Sequence, residues 1–199
     1  KTGQKKLPVL FDNETTIHDS SSIIRHLEKI EIEPKLIPEG IKEASQVQII
    51  ENWADTTLAK SIKIVFLEEL TKNPRLISSL FDNEISDSIQ KILFNIPINF
   101  ASQISGLINQ KEKEALKLNL EYLSNIVTKE KFIIGEKLSI ADISVASQLS
   151  LLSFPNSSGE QLRGKGCSIY INDPSLNNLF KWRDTIEDKL ITTNNDQSY

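Results

Sequence analysis

The sequence predicts a mainly α-helical fold that opens with a small α/β piece. Two observations carry this prediction. Near the start of the chain, turn-forming residues separate a short apolar run from a β-branched run, which is the pattern of a β-hairpin. From about residue 43 onward, apolar residues recur every three or four positions, which is the period of amphipathic helices.

The first piece is predicted to be a hairpin that leads into a helix. Residues 7–11 are apolar and suit a first strand, residues 12–14 suit a turn, and residues 15–17 are β-branched and suit a second strand. Asp19 and Ser20 then offer an N-cap for a helix whose apolar positions continue to residue 30. A hairpin followed by a helix is therefore expected within residues 1–32.

A linker is predicted at 33–42, and an all-helical domain is expected over 43–199. The apolar pattern breaks in the linker, which holds Pro34, Pro38 and Gly40. One long apolar stripe then predicts a long helix that Asn73-Pro74 ends. The stripe consists of Val47, Ile50, Ala54, Leu58, Ile62 and Phe66.

Further helices are expected along the rest of the chain. They cover 76–81, 85–108 with a kink at Pro97, and a segment around 116–127. Residues 139–153 are apolar at nearly all inner positions and predict the buried central helix. Pro155 and three glycines indicate a long surface loop at 155–172, and Asp173-Pro174 opens a last helix that is expected to end near Leu190.

Composition excludes several classes of protein. The 199-residue chain has a net charge of −4 and a pI near 5.4, which argues against a nucleic-acid partner. It has no apolar run of membrane-spanning length, so no membrane partner is expected. Two histidines and one cysteine supply neither a metal site nor an internal disulfide, and a reducing cytoplasm is the expected location. The chain begins with Lys1 and lacks methionine, so we expect a processed, trimmed or incomplete start.

Two short segments near the start have residue types suited to binding a ligand. Pro8 interrupts an apolar strand, which fits either an edge strand with a trans proline or a cis Leu7–Pro8 bond that presents the Leu7 backbone to a ligand. At the predicted helix start, the Ser20 hydroxyl and free backbone N–H groups suit a carboxylate, and Asp19 suits an ammonium group. Plain helix capping by Asp19 and Ser20 is the alternative interpretation.

A capping box is predicted at the start of the central helix. Ser139 and Asp142 have the spacing at which each side chain bonds to the backbone of the other. We interpret this pair as structural rather than catalytic.

Two separated motifs together resemble the glutathione transferase superfamily. The first is Leu7-Pro8-Val9-Leu10 with the following hairpin, Asp19-Ser20 and the helix segment Ile-Ile-Arg-His-Leu-Glu at 23–28. The second is the Phe-Ile-Ile-Gly-Glu-Lys-Leu-Ser-Ile-Ala-Asp-Ile segment at 132–143. The resemblance implies a glutathione-transferase-like fold, in which part of a thioredoxin-like α/β domain precedes a helical bundle. It covers nearly the whole chain except the segment at 155–172.

The resemblance also implies a ligand and a set of binding residues. Glutathione would be the co-substrate, with Leu7 pairing to its cysteinyl part before a cis Pro8. Ser20 would bind the γ-glutamyl carboxylate, Asp19 the amino group, and Lys6 the glycyl carboxylate. A small apolar electrophile would occupy a pocket along residues 50–66 and near Pro97, and a homodimer is expected.

The resemblance does not supply a catalytic residue for this chain. The superfamily's thiol-activating Ser, Tyr or Cys lies at the start of the first helix of its thioredoxin-like domain, and a βαβ unit needs roughly 30 residues. Only six residues precede Leu7, so the activating residue is expected outside this sequence. A glutathione-conjugating enzyme is therefore the first hypothesis, and a non-catalytic binding or assembly module of the same fold is the second.

Other reactive residues are interpreted as structural. His18 is expected at a strand end or on the surface, and His26 is expected to be partly buried. Cys167 is a poor nucleophile candidate, because no histidine or helix start is near it in sequence. Asp55, one turn after Glu51, could face the cleft between the two domains, but a solvated acidic face is the preferred interpretation.

Overall fold

A computed structural model describes residues 8–30, 34–81 and 110–195, and all structural statements below concern these ranges. Strands β1 (Val9–Asp12) and β2 (Thr15–His18) form an antiparallel hairpin in which Leu10 pairs with Ile17. Asn13 turns the chain between them with a positive φ of 51°. Helix α1 (Ser20–Lys29) follows directly. The predicted hairpin and helix are confirmed.

A long helical segment follows the linker and contains a π-turn. Helix α2 (Ile41–Trp53) continues through the π-helical turn Ala54–Leu58 into α3 (Ala59–Lys72). Asn73 ends α3, and Pro74 opens α4 (Pro74–Phe81), as the sequence predicted.

The π-turn has a physical reason in the spacing of the apolar stripe. Four residues advance an α-helix by about 400°, which is about 40° more than one turn. In a regular α-helix the three four-residue steps from Ala54 to Phe66 would therefore move the apolar stripe by about 120° around the helix. A π-turn takes up one extra residue, which cancels about 100° of that drift. Ala54, Leu58, Ile62 and Phe66 are consequently all buried on one side.

The remaining helices surround one buried helix. Helix α5 spans Gln110–Lys129, and α6 spans Ile140–Leu149. Helix α6 is the predicted central helix, and its Ile140, Ala141, Val145, Ala146 and Leu149 are all buried. The helix expected at 85–108, with its kink at Pro97, lies outside the described residues.

The segment at 155–172 is not the surface loop that its prolines and glycines suggest. It contains a 3₁₀ turn (Asn156–Ser158) and the short helix α7 (Ser168–Ile171). Leu162 is fully buried, and Cys167 and Tyr170 are buried in the same core as α3 and α5. The prediction of a surface loop was wrong because this segment contributes side chains to the core.

Backbone pairing and side-chain hydrogen bonds fix that segment. Ser153 and Gly166 form an isolated antiparallel bridge, next to which the Cys167 N–H donates to Leu152 O at 2.8 Å. The Ser157 hydroxyl donates to Glu187 Oε2 of the last helix at 2.8 Å. The segment is therefore tied both to the end of α6 and to the last helix.

The last helix begins where the sequence indicates but runs further. Asp173 caps a 3₁₀ turn (Pro174–Leu176) by accepting the Ser175 N–H at 3.0 Å. Helix α8 then spans Asn177–Asn195, beyond the end expected near Leu190. Phe66 of α3 meets Phe154 edge to face at 5.8 Å within the core that these helices enclose. The mainly α fold is confirmed, and no helix among the described residues is long and apolar enough to cross a membrane.

Candidate functional site

One end of the hairpin brings three of the predicted ligand residues together. Val9 pairs with His18, so Pro8 lies one position beyond this pair, opposite Asp19. Ser20 follows Asp19 as the first residue of α1. Lys6 and Leu7, including the Leu7–Pro8 bond, lie outside the described residues. Pro8, Asp19 and Ser20 are all exposed and so are accessible to a ligand.

Asp19 has an unusual backbone conformation at the start of α1. Its φ is 74° and its ψ is 131°, a combination that non-glycine residues rarely adopt. Its Oδ2 accepts hydrogen bonds from Ser22 N and Ser22 Oγ, both at 3.2 Å. The predicted capping role of Asp19 is confirmed. Backbone strain of this kind is often kept at ligand-binding positions.

The first turn of α1 has donors that its own helix does not use. Helix geometry leaves the first N–H groups without an intrahelical acceptor, and Asp19 takes the one of Ser22. Those of Ser20 and Ser21 remain at the open end, beside the exposed Ser20 hydroxyl. Such an end favours an anion by both its donors and its helix dipole.

Two acidic residues of the helical part lie beside this end, and the sequence interpretation of one of them was wrong. Glu51 is only 3% exposed and pairs with Arg25 of α1 at 3.6 Å, so it is not part of a solvated face. Asp55 is exposed, and its pKa is raised by burial of its carboxylate, by Glu51 and by Asp19. A hydrogen bond with the Gln148 side chain opposes this rise. The charges of Asp55 and Asp19 therefore interact.

The sequence missed the residues that join α1 to the helical part. Arg25 and Glu51 carry opposite charges, but they are 26 positions apart and no local pattern links them. Gln148 is an uncharged residue at the end of a buried helix, so nothing in the sequence marks it.

The two histidines lie on different elements, His26 on α1 and His18 on β2. His26 Nε2 is 2.7 Å from Asp12 Oδ2, so it ties α1 to β1 and is partly buried, as expected. His18 stands at the end of β2, also as expected, and its buried Nδ1 has no hydrogen-bond partner within the described ranges. Across residues 8–30, 34–81 and 110–195, no three His, Cys, Asp or Glu side chains form a group that could hold a metal ion.

The predicted capping box of α6 is confirmed and is more extensive than the sequence suggested. Asp142 Oδ2 accepts from Ser139 N at 2.9 Å and from Ser139 Oγ at 2.8 Å. Its Oδ1 accepts from Ile133 N at 2.7 Å. Burial raises the pKa of Asp142, and these hydrogen bonds oppose that rise. The pair is buried in the protein interior and has a structural role.

Cys167 is buried and poorly suited to nucleophilic chemistry. Burial raises the pKa of its thiol well above the ordinary value, and Glu69 and Glu68 add to the rise. Burial likewise raises the pKa of Tyr170 to about 12. Because the thiolate is the reactive form, the thiol is expected to be inert.

Two clefts lie on the described surface. One of about 270 Å³ lies between α1, the linker and α2, with Arg25, Ile37 and Glu51 among its lining residues. The other, of about 370 Å³, lies between α3, α5 and α7 and is lined by several charged side chains, including Glu68 and Lys117. The apolar pocket expected for an electrophile stays a prediction, since Pro97 lies outside the described residues.

Comparisons with known proteins relate the start of the chain to a known family. The family model for the N-terminal domain of glutathione S-transferase matches residues 1–35. "FtsZ-localized protein A" of Caulobacter vibrioides is 22% identical over 156 residues, which cover 74% of this chain and 56% of that protein. The chain thus spans little more than half of this curated relative.

Solved structures show the same fold at low identity. A glutathione S-transferase from Rhodospirillum rubrum F11 superposes with a TM-score of 0.50 and 21% identity, covering 86% of this chain and 68% of that one. FzlA from C. crescentus superposes with a TM-score of 0.54 and 16% identity, covering 90% of this chain and 64% of that one. The β-etherase LigF from Sphingobium sp. strain SYK-6 superposes with a TM-score of 0.51 and 15% identity, covering 88% of this chain and 78% of that one. The described chain therefore has the fold of the glutathione S-transferase superfamily.

Proposed function

We propose that this chain binds glutathione at the open end of α1 and belongs to a protein that transfers the glutathione thiol to a small electrophile. The observation that carries the proposal is the strained Asp19. Its backbone presents the exposed Ser20 and the first N–H groups of α1, which have no acceptor within their own helix, at the end of the hairpin. A strained residue next to unused donors is best explained by a ligand that needs both.

The chemistry of the γ-glutamyl group fits this end of α1. Its carboxylate would accept from the Ser20 hydroxyl and from the N–H groups of Ser20 and Ser21. Its ammonium group would lie near Asp19 and Asp55. The pKa of Asp55 is raised first by partial burial, then by Glu51 and then by Asp19. A cation near these carboxylates would offset the two electrostatic contributions.

The resemblance extends the same ligand toward residues near the start of the chain. The Leu7 backbone would pair with the cysteinyl part, next to Pro8, and Lys6 would face the glycyl carboxylate. In the transfer step the thiol loses its proton, and the thiolate sulfur bonds to an electrophilic carbon while a leaving group departs with its electron pair. No residue of this chain is assigned to activating the thiol.

Calorimetric titration with reduced glutathione and with S-methylglutathione tests the binding proposal. Ser20→Ala removes one hydrogen bond to a charged group, so we expect Kd to rise about 10- to 100-fold. Ser45→Ala is the matched control, because Ser45 is exposed and bonds only to Ile41 O of its own helix. Equal affinity of the Ser20→Ala variant and the wild type would refute the site.

A second candidate function is a non-catalytic assembly module of the same fold. It is favoured by the similarity to "FtsZ-localized protein A" and to FzlA. Co-sedimentation with polymerised FtsZ, together with a glutathione-conjugation assay, separates the two candidates. Co-sedimentation without conjugation would favour the module, whereas conjugation that Ser20→Ala weakens would favour the transferase.

A further inference from the structure

Glu28, in the last turn of α1, holds the linker in place. Its Oε1 accepts the N–H of Leu36 at 2.6 Å, and its backbone carbonyl accepts from Lys35 Nζ at 2.8 Å. Leu36 O in turn accepts the N–H of Ile140, the first residue of α6, at 3.1 Å. The backbone of one linker residue therefore connects the end of α1 to the start of the buried central helix.

A second connection joins α1 to the helical part. Arg25 of α1 pairs with the buried Glu51 of α2 at 3.6 Å. Helix α1 is thus connected to the helical part at two places, through Leu36 to α6 and through Arg25 to α2.

An apolar contact fills the space between these two connections. Ile24 of α1, together with Leu36 and Ile37, packs against Val47, Ile140 and Ala141. Apolar burial stabilises this contact, but it has no preferred direction. Hydrogen bonds have narrow geometry, so the Glu28–Leu36 and Leu36–Ile140 bonds are what fix the orientation of α1.

We propose that Glu28 is a positioning residue for the ligand site, about 12 Å along the helix axis from Ser20. By holding Leu36, it fixes the tilt of α1 against α6, and so it sets where Ser20 stands relative to the helical part. This inference rests on the proposed function, because it assigns the affinity of the glutathione site to a residue that does not touch the ligand.

Three variants separate this role from general loss of structure. Glu28→Ala removes the acceptor for the Leu36 N–H, and Glu28→Gln retains an acceptor oxygen at the same reach. Lys29→Ala changes the exposed neighbour on the same helix and serves as the control. Calorimetric titration with reduced glutathione is expected to give about a tenfold or greater loss of affinity for Glu28→Ala. Glu28→Gln is expected to restore most of the affinity, and Lys29→Ala to leave it unchanged.

Amide hydrogen exchange of the unliganded protein gives a second readout. In Glu28→Ala, exchange at Leu36 and Ile140 should speed up, and Glu28→Gln should slow it again. Exchange at Ile133, which Asp142 holds independently, should stay the same.

The outcomes distinguish the two proposals. Unchanged exchange at Leu36 and Ile140, or a Glu28→Gln variant as weak as Glu28→Ala, would overturn the positioning role alone. A wild-type protein that does not bind glutathione would overturn the proposed function, and with it the effect of Glu28 on affinity.

Discussion

Removing the Asp142 carboxylate should destabilise the protein more than removing the Ser139 hydroxyl, although the two residues form one capping box. Asp142 is fully buried and accepts hydrogen bonds from Ile133 N, Ser139 N and Ser139 Oγ. In Asp142→Ala the two backbone N–H groups lose their acceptor, and each buried unsatisfied group costs about 1–3 kcal/mol. We therefore expect a loss of about 3–5 kcal/mol in unfolding free energy, against about 0.5–2 kcal/mol for Ser139→Ala.

Urea unfolding followed by tryptophan fluorescence measures this difference. The buried Trp182 is a suitable reporter, because its indole N–H donates to Lys131 O at 3.1 Å, two residues before Ile133. Glu136→Ala, at an exposed position in the same segment, is the control and should change the free energy by less than about 0.5 kcal/mol. If Asp142→Ala costs no more than Ser139→Ala, the bond to Ile133 contributes nothing and the reasoning is wrong.

Three further predictions concern other parts of the molecule. The Cys167 thiol, whose pKa is raised by burial, should not react with a disulfide reagent at pH 8 until the protein unfolds; fast labelling of the native state would contradict its burial. Lys117→Ala should raise the pKa of Asp173, which hydrogen bonds from Lys117 and Ser175 hold at about 2. A lowered pKa stabilises the fold above the ordinary carboxyl pKa of about 3.9, and this stabilisation is lost as the pH falls toward 2. A carboxyl-carbon NMR titration measures the shift, and an unchanged pKa would refute the pairing. Gly166→Ala should lower the melting temperature more than Gly164→Ala, because a Cβ on Gly166 would collide with the Leu152 carbonyl, whereas nothing lies within 4 Å of one on Gly164. Equal shifts would argue against the tight bridge.

The features that the sequence predicted are those set by neighbouring residues. Asp19 caps α1 through a residue three positions away, and Ser139 and Asp142 are also three positions apart. Such short-range geometry follows from residue type and spacing. The hairpin and the start of α4 at Pro74 are local in the same sense.

The features that the sequence missed depend on contacts between distant residues. The segment at 155–172 has the composition of a surface loop, yet its Gly166 lies against the backbone of Leu152 and its Leu162 is fully buried. Glu51 has the pattern of a solvated residue until Arg25 is placed beside it. Composition and periodicity carry no information on such pairings.

The same distinction between local and distant contacts applies to the predicted ligand residues. Pro8, Asp19 and Ser20 meet because the hairpin register places them together, and this register follows from the turn. The charge of Asp55 acts on Asp19 only because α2 and α6 pack beside α1, which the spacing of residues along the chain does not reveal.

Because of the π-turn at Ala54–Leu58, the number of residues in the long helical segment determines how its two halves are oriented relative to each other. Helix α2 carries Val47 and Glu51, which face α1, whereas α3 carries Ile62 and Phe66, which face the core. If the turn became regular α-helix with all of its residues retained, one half would rotate against the other by about 100°. Either Glu51 would leave Arg25, or Phe66 would leave Phe154. A homologous chain with a regular helix here would therefore need one residue fewer between these two halves, and an alignment of the two sequences would need a one-residue gap at this turn.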